Sequence, residues 1–133
     1  MMIKGIAWVG VCTADWERTV AFYRDVLGLS MRSEGLLSVA PGEVHCAELA
    51  LPNGDFVEIF DENLAERDLF AAPVVGFLVE DVAAARGEMA AKGVPFIGPV
   101  YRGVNWEWSY FRSPEGHVHQ LMAELETPAG EKR

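Results

Sequence analysis

The chain has 133 residues, of which 50% are hydrophobic and 23% charged, a composition typical of one globular domain. Its 20 acidic and 11 basic residues give a formal charge of −9, which argues against nucleic acid as a partner, because such binding depends on Lys and Arg at phosphates. No apolar run is long enough to cross a membrane and the first residues form no leader, so we expect a cytoplasmic protein without a membrane partner.

The first half of the chain predicts one strand, one helix and three further strands. Apolar and small residues predict the first strand at 3–12. Asp15 is placed to cap a helix whose apolar residues recur at helical spacing, and Gly28 is placed to end it. The next three strands are predicted around residues 29–34, 43–51 and 56–60.

The second half repeats this order after a polar segment. Residues 61–73 are charged and end in proline, which predicts a linker with one helical turn. A strand at 74–79 follows, and then a helix that begins after Asp81 and ends at Gly93. The remaining predicted elements are strands at 95–101, 106–112 and 118–122 and a flexible polar tail at 124–133.

The two halves form an internal repeat. The helix-capping residues Asp15 and Asp81 are 66 residues apart. A half of this size cannot bury its own sheet, so we expect the two copies to pack together, within one chain or across a homodimer. Equivalent residues should then converge near the axis that relates the copies, and Glu58 corresponds to Gln120 with a shift of 62.

Residues 106–122 predict a hairpin with one strongly aromatic face. Residues 113–116, Ser-Pro-Glu-Gly, suit a chain reversal because Pro restricts one dihedral angle and Gly supplies a positive one. Alternation along the arms places two tryptophans and Tyr110 on one face, around the single amide of Gln120. This face is either part of an aromatic core or the wall of a ligand cavity.

Three stretches resemble the vicinal oxygen chelate superfamily, which includes glyoxalases, bleomycin-resistance proteins and extradiol dioxygenases. They are AFYRDVLGL at 21–29, VEDVAAARGEMAAKGV at 79–94 and YFRSPEGHVHQL at 110–121. The resemblance implies an α+β fold, in which two tandem βαβββ modules form a curved, open eight-stranded mixed sheet with the helices on its convex face. The implied domain spans residues 1–123, with module one at 3–60, the linker at 61–73 and module two at 74–123.

The resemblance also implies a place for a divalent metal, which active members hold with ligands from the first and fourth strands of each module. The four corresponding residues here are Trp8, Glu58, Val74 and Gln120. Neither an indole nor an isopropyl group can coordinate a divalent ion, so two donors remain. By alternation the three histidines face away from this site, and we therefore expect no metal and no cofactor.

Strand alternation predicts which side chains line a ligand cavity around Glu58. The predicted lining residues are Trp8, Glu48, Phe56, Phe60, Val74, Trp106, Trp108, Tyr110, Gln120 and Met122. Glu58 is the one predicted catalytic residue, because a carboxylate among aromatic rings should have a raised pKa suited to a general acid or base. An ionised Glu58, helped by Glu48, would instead hold a cationic ligand, and a third alternative is a plain hydrogen bond between Glu58 and Gln120.

These observations predict a metal-free protein that binds a small organic molecule and forms a homodimer. Its most concrete version sequesters an aromatic or cationic natural product, as bleomycin-resistance relatives do. The first alternative is an enzyme of the same superfamily, namely a lyase, isomerase or cyclase that uses Glu58, or a metal-dependent glyoxalase-like lyase with other ligands. The second alternative is a domain without a pocket, in which the aromatic rings pack on one another.

Overall fold

The structure, a computed structural model, describes residues 1–39 and 42–125, and at residues 38 and 39 it describes the backbone alone. Its strands are β1 (Gly5–Thr13), β2 (Ser30–Val39), β3 (Gly42–Ala50), β4 (Phe56–Asp61), β5 (Val74–Leu78), β6 (Phe96–Arg102), β7 (Trp106–Arg112) and β8 (Val118–Glu124). Its helices are α1 (Trp16–Ala21), a π-helical segment (Phe22–Val26), a 3-10 turn (Arg67–Phe70) and α2 (Val82–Ala91).

The chain forms two compact units. The first unit is Trp8–Val74, and the second unit is Met1–Ala7 together with the chain from Val75 onward. Within the first unit the strands lie in the order β2-β3-β4-β1, and within the second in the order β6-β7-β8-β5. In each unit one strand pair, β1 with β4 or β5 with β8, is parallel and the other pairs are antiparallel. The predicted α+β class, with two βαβββ modules and eight strands in mixed pairing, is confirmed.

The core of the first unit lies between its helix and one face of its strands. Val20 of α1 is buried together with Ala47, Leu49 and Ile59 of β3 and β4. Because alternate residues of a strand point to opposite faces, the side chain of Glu58 lies on the face away from the helix. We call this surface the Glu58 face, and it carries Gly10, Glu48, Phe56, Glu58 and Phe60 with the side chain of Trp8.

The core of the second unit has the same plan. Val82 and Ala85 of α2 pack with Phe111 and Leu121, which belong to the predicted hairpin of β7 and β8. The opposite surface, here called the Gln120 face, carries Gly76, Trp108, Tyr110, Gln120 and Met122. Alternation along the hairpin therefore assigned Trp108 and Tyr110 to the face without a helix, and Phe111 to the core.

The first helix differs from the prediction of one helix between Asp15 and Gly28. Its α-helical part ends at Ala21, and the π-helical segment follows, in which the Leu27 amide donates to the Phe22 carbonyl at 3.0 Å. Gly28 does end it, with a φ of +78°. In the described part of the chain no helix is long and apolar enough to span a membrane.

The carboxyl end of the sheet also differs slightly from the prediction. Strand β8 runs to Glu124, so the first residue of the predicted flexible tail is part of the strand. Residues 126–133, the remainder of that tail apart from Leu125, lie outside the described residues.

The cap of α2 gives a first testable prediction. Asp81 accepts a hydrogen bond from the Ala84 amide at 3.0 Å, whereas the corresponding bond from Arg18 to Asp15 at α1 is longer, at 3.4 Å. We expect Asp81→Ala to lower the free energy of unfolding by about 1 kcal/mol, because it leaves a helical amide without its partner. Urea denaturation measures this, and Asp15→Ala, the matched variant, should have a smaller effect. An equal loss in both variants would contradict this difference between the caps.

Candidate functional site

Glu58 lies in the middle of the strands of the first unit. It is on β4, opposite Gly10 of β1 on one side and opposite Glu48 of β3 on the other. Its Oε1 accepts a hydrogen bond from Trp8 Nε1 at 2.8 Å. Among the described residues, Trp8 is the single hydrogen-bond partner of this carboxyl group, and the side chain remains partly exposed.

The surroundings of Glu58 raise its pKa from 4.5 to about 7. Burial is the largest cause, because it disfavours the charged carboxylate. The hydrogen bond from Trp8 and the charge of Arg32 lower the pKa, while the charge of Glu48 raises it. Glu58 is therefore about half protonated near neutral pH, as expected of a group that can accept or donate a proton there.

Trp8 is held in place by two other aromatic rings. It is 7% exposed, and its ring centroid lies 6.1 Å from those of Phe60 and Phe70. The ring also covers Gly10, where any Cβ atom would overlap it. Phe70 belongs to the segment predicted as a linker, and its buried ring was absent from the predicted site. The apolar pair Leu69-Phe70, which directly follows the charged residues 66–68, was the available signal.

Glu48 is paired with a cation that the sequence analysis did not identify. Arg32 of β2 contacts Glu48 Oε1 at 2.9 Å, and its guanidinium lies 4.1 Å from the centroid of the Phe56 ring. The charge of Glu48 is therefore compensated locally. Glu58 is left as the acidic group of this face that has no ion-pair partner among the described residues.

The Gln120 face of the second unit has a buried amide. Gln120 is 3% exposed, and its Oε1 has no hydrogen-bond partner among the described residues. It lies opposite Gly76 of β5 and opposite Tyr110 of β7. The Met122 side chain, which is 6% exposed, fills the space over Gly76 that a Cβ atom would otherwise occupy.

Aromatic rings continue the Gln120 face along β7. Tyr101 stacks on Trp108 with a centroid distance of 6.0 Å and meets Tyr110 edge to face at 6.0 Å. Gly103 lies against the Trp108 ring, where a Cβ atom would approach it to 3.2 Å. Trp106, which is predicted to line the cavity, is partly buried on the same strand. Tyr101 was not among the predicted lining residues, because its place depends on the irregular pairing of β6 with β7.

The four positions that correspond to metal ligands do not suit a divalent ion. Val74 is fully buried and has no atom that can coordinate a metal, and the Trp8 N–H group donates a hydrogen bond to Glu58. Glu58 and Gln120 are in different units, and each would supply one oxygen. The donor set at these positions therefore does not fit the metal that the resemblance implies.

Two of the three histidines, His45 and His119, lie on the helix side of their strands, as alternation predicts. His45 stacks on Trp16 of α1 at a centroid distance of 4.0 Å and contacts Glu34 at 3.1 Å. His119 lies beside Phe77 and Phe111, two rings that pack in or against the core under α2. Within residues 1–39 and 42–125, no three His, Cys, Asp or Glu side chains are grouped closely enough to hold a metal ion.

A surface depression in the first unit lies away from these residues. It has a volume of about 510 Å³ and is lined by Gly42, Glu43, Glu62, Asn63 and Arg67. All five residues are exposed, and none is a predicted site residue. The Glu58 face is the better candidate site, because its carboxyl group is desolvated and its rings are packed. That the residues of the Glu58 and Gln120 faces bind a ligand stays a prediction.

Comparisons with known proteins agree with this architecture. The sequence model of the Glyoxalase/Bleomycin resistance protein/Dioxygenase superfamily matches residues 5–121. A comparison with curated proteins found no match.

Solved structures share the fold at low sequence identity. The structure of methylmalonyl-CoA epimerase from Mycobacterium tuberculosis is 20% identical, with a TM-score of 0.72 over 97% of this chain and 93% of that chain. The Streptomyces coelicolor epimerase in complex with 2-nitronate-propionyl-CoA is 17% identical, with a TM-score of 0.69 over 94% of this chain and 100% of that one. A variant of 4-hydroxymandelate synthase from Streptomyces coelicolor is 13% identical, with a TM-score of 0.62 over 96% of this chain and 50% of that one. At these identities the likeness concerns the fold alone.

Proposed function

Since the chain belongs to the Glyoxalase/Bleomycin resistance protein/Dioxygenase superfamily, we propose that it binds a small organic molecule without a metal, at the Glu58 face. The observation that carries this proposal is the Glu58 carboxyl group, which is desolvated, anchored to Trp8 through one oxygen and still partly exposed. A polar group fixed among aromatic rings is the usual anchor of a small-molecule site. Trp8, in place of a metal ligand, supplies an apolar surface beside it.

The charge of the protein favours a neutral or cationic ligand. The chain carries a formal charge of −9, and Arg32 on this face is already paired with Glu48. A coenzyme A thioester, such as the ligand of the related epimerase, carries several phosphates and would meet a repulsive field here. An aromatic or cationic molecule would be attracted by ionised Glu58 and would stack on the rings around it.

A second candidate function is proton transfer at carbon or oxygen, and the pKa of Glu58 favours it. A carboxyl group whose pKa is about 7 is matched to general acid or base catalysis at neutral pH. In this case Glu58 would take a proton from a bound substrate and return it, as an isomerase or lyase requires. The enzyme would again need no metal, because the donor set does not fit one.

The same proposal includes the extent of the domain, the location of the protein and its oligomeric state. The domain spans residues 1–123, and the protein acts in the cytoplasm as a homodimer, since the internal repeat favours pairing of modules. Light scattering on the purified protein measures its mass in solution. A monomeric mass would contradict the homodimer and leave the ligand proposal to be tested separately.

Ligand binding can be tested with Glu58→Gln and a panel of aromatic cations, aromatic acids and neutral rings. We expect aromatic cations to quench tryptophan fluorescence, with about tenfold tighter binding at pH 8 than at pH 5, because Glu58 is ionised only at the higher pH. Glu58→Gln should remove this pH dependence, since its side chain can still accept from Trp8 but carries no charge. Glu17→Gln, which removes an exposed carboxylate of α1, is the matched control.

The same variants separate binding from catalysis. If Glu58 transfers protons, wild-type protein in D₂O will exchange the acidic C–H proton of a substrate, and Glu58→Gln will bind the same substrate without exchange. The first probe is 2-hydroxyacetophenone, an uncharged aromatic ketone with such a proton. If the protein only binds, no exchange will occur with any member of the panel. Equal affinity of wild-type protein and Glu58→Gln for every cation at pH 8 would contradict the proposed role of Glu58.

A further inference from the structure

On the Gln120 face, the side-chain oxygen of Gln120 is buried and accepts no hydrogen bond from any described residue. Gln120 is 97% buried, since 3% of its surface is exposed, and its Oε1 has no partner in residues 1–39 and 42–125. Buried amide oxygens are almost always hydrogen-bonded, because leaving one without a partner lowers stability. If this position only packed against its neighbours, an apolar side chain of the same size would make the protein equally stable or more stable.

Gln120 has a flexible methionine side chain on one side and packed aromatic rings on the other. Over Gly76 the space is filled by the end of the Met122 side chain, beside Gln120 Oε1. Methionine is flexible, with three rotatable side-chain bonds, so it can leave such a space without a change in the backbone. On the other side Tyr110 is 3% exposed and is held by Tyr101, which also stacks on Trp108.

We infer that Gln120 Oε1 accepts a hydrogen bond from an N–H or O–H group of a planar aromatic ligand, which enters where the Met122 side chain now lies. This inference goes beyond the proposed function, because it places a ligand at the Gln120 face of the second unit, whereas the proposed site is the Glu58 face of the first unit. In this arrangement the Gln120 oxygen supplies the polar contact and Gly76 supplies the space. The stacked rings of Tyr101 and Trp108 supply the flat surface. A ligand without a donor leaves the oxygen unpaired and binds more weakly.

Indole and benzofuran test this inference, because they have nearly the same shape and only indole has an N–H group. Both are uncharged, so the ionisation of Glu58 does not separate them. We expect wild-type protein to bind indole about tenfold tighter than benzofuran, as one hydrogen bond to an otherwise unpaired oxygen predicts. Ligand-observed NMR or calorimetry measures both affinities.

Gln120→Met keeps the length of the side chain and removes the acceptor. We expect this variant to bind the two probes equally and, without a ligand, to melt about 3 °C higher than wild-type protein. The matched control is His119→Met, which removes the other unpaired buried atom of the hairpin, Nδ1, on the opposite face. It should keep the preference for indole. Gly76→Ala, which displaces the end of Met122, provides a second measurement and should weaken both probes.

Each outcome decides the inference. A preference for indole that persists in Gln120→Met would overturn it, and so would equal binding of the two probes to wild-type protein, as expected if a buried water satisfies the oxygen. If neither probe binds but members of the aromatic panel do, the inference fails and the proposed function stands. If nothing in either set binds, both fail.

Discussion

Replacing Glu58 by Gln is expected to make the protein more stable at pH 8 and to have a much smaller effect on its stability at pH 5. The pKa of Glu58 is raised from 4.5 to about 7, so between these values the folded protein binds more protons than the unfolded chain. The free energy of unfolding of wild-type protein therefore falls as the pH rises from 4.5 to about 7, and it levels off above that pH. Allowing for the partial exposure of the carboxyl group, we expect Glu58→Gln to gain about 2 kcal/mol at pH 8.

Urea denaturation of both proteins at the two pH values measures this difference. The glutamine can keep the hydrogen bond from Trp8, so the comparison isolates the charge. Glu17→Gln should show the same pH dependence as wild-type protein. A Glu58→Gln variant that is less stable at pH 8 would mean that the carboxylate is ionised and well solvated in the folded state. A gain in stability that accompanies a loss of ligand binding would mark Glu58 as a residue kept for function.

Gly10→Ala is expected to lower the free energy of unfolding by about 2 kcal/mol. The added methyl group would overlap the ring of Trp8 and force this ring away from Phe60 and Phe70. Trp8→Ala should cost more, about 4 kcal/mol, because it empties a buried site and leaves Glu58 without its donor. In the double variant the two losses should not add. Once the ring is absent, Gly10→Ala should have almost no effect.

Gly35→Ala is the control for Gly10→Ala, because Gly35 is also in a strand of the first unit and has no heavy atom within 4 Å of an added Cβ. It should change the free energy of unfolding by less than about 0.5 kcal/mol. Additive losses in the double variant would show that Gly10 is required for another reason than the tryptophan ring. Chemical denaturation of wild-type protein, the two single variants at Gly10 and Trp8 and their double variant measures the interaction between the two residues.

The variants at Trp8 and Glu58 test what these two residues do at positions where the resemblance implies metal ligands. The residue at that position on β1 is Trp8, and its N–H group binds the carboxyl of Glu58, which stands at a second such position. A hydrogen bond between an N–H donor and a carboxyl group therefore joins two positions at which the resemblance implies metal ligands. The pKa of Glu58 is raised because burial disfavours the carboxylate, and the hydrogen bond from Trp8 offsets only part of this effect.

The sequence by itself determined the family, the fold class and the faces of the strands. The resemblance carried by three stretches is confirmed by the family match over residues 5–121. The placement of Glu58 and Gln120 on faces without a helix followed from alternation, a local property of each strand that does not depend on distant contacts. Helix caps are equally local, and Asp15 and Asp81 are both observed as caps.

Only the tertiary structure decided which groups meet. Trp8 and Glu58 are 50 residues apart in the chain, and Phe70 reaches Trp8 from a segment whose composition predicts a linker. The pairing of Arg32 with Glu48, which are 16 residues apart, depends on a register shift in β2 next to Met31. The unpaired oxygen of Gln120 could not be predicted either, because satisfaction of a buried group depends on every neighbour at once. A strand pattern assigns a side chain to a face, whereas its partners depend on strand register and loop paths that bring distant residues together.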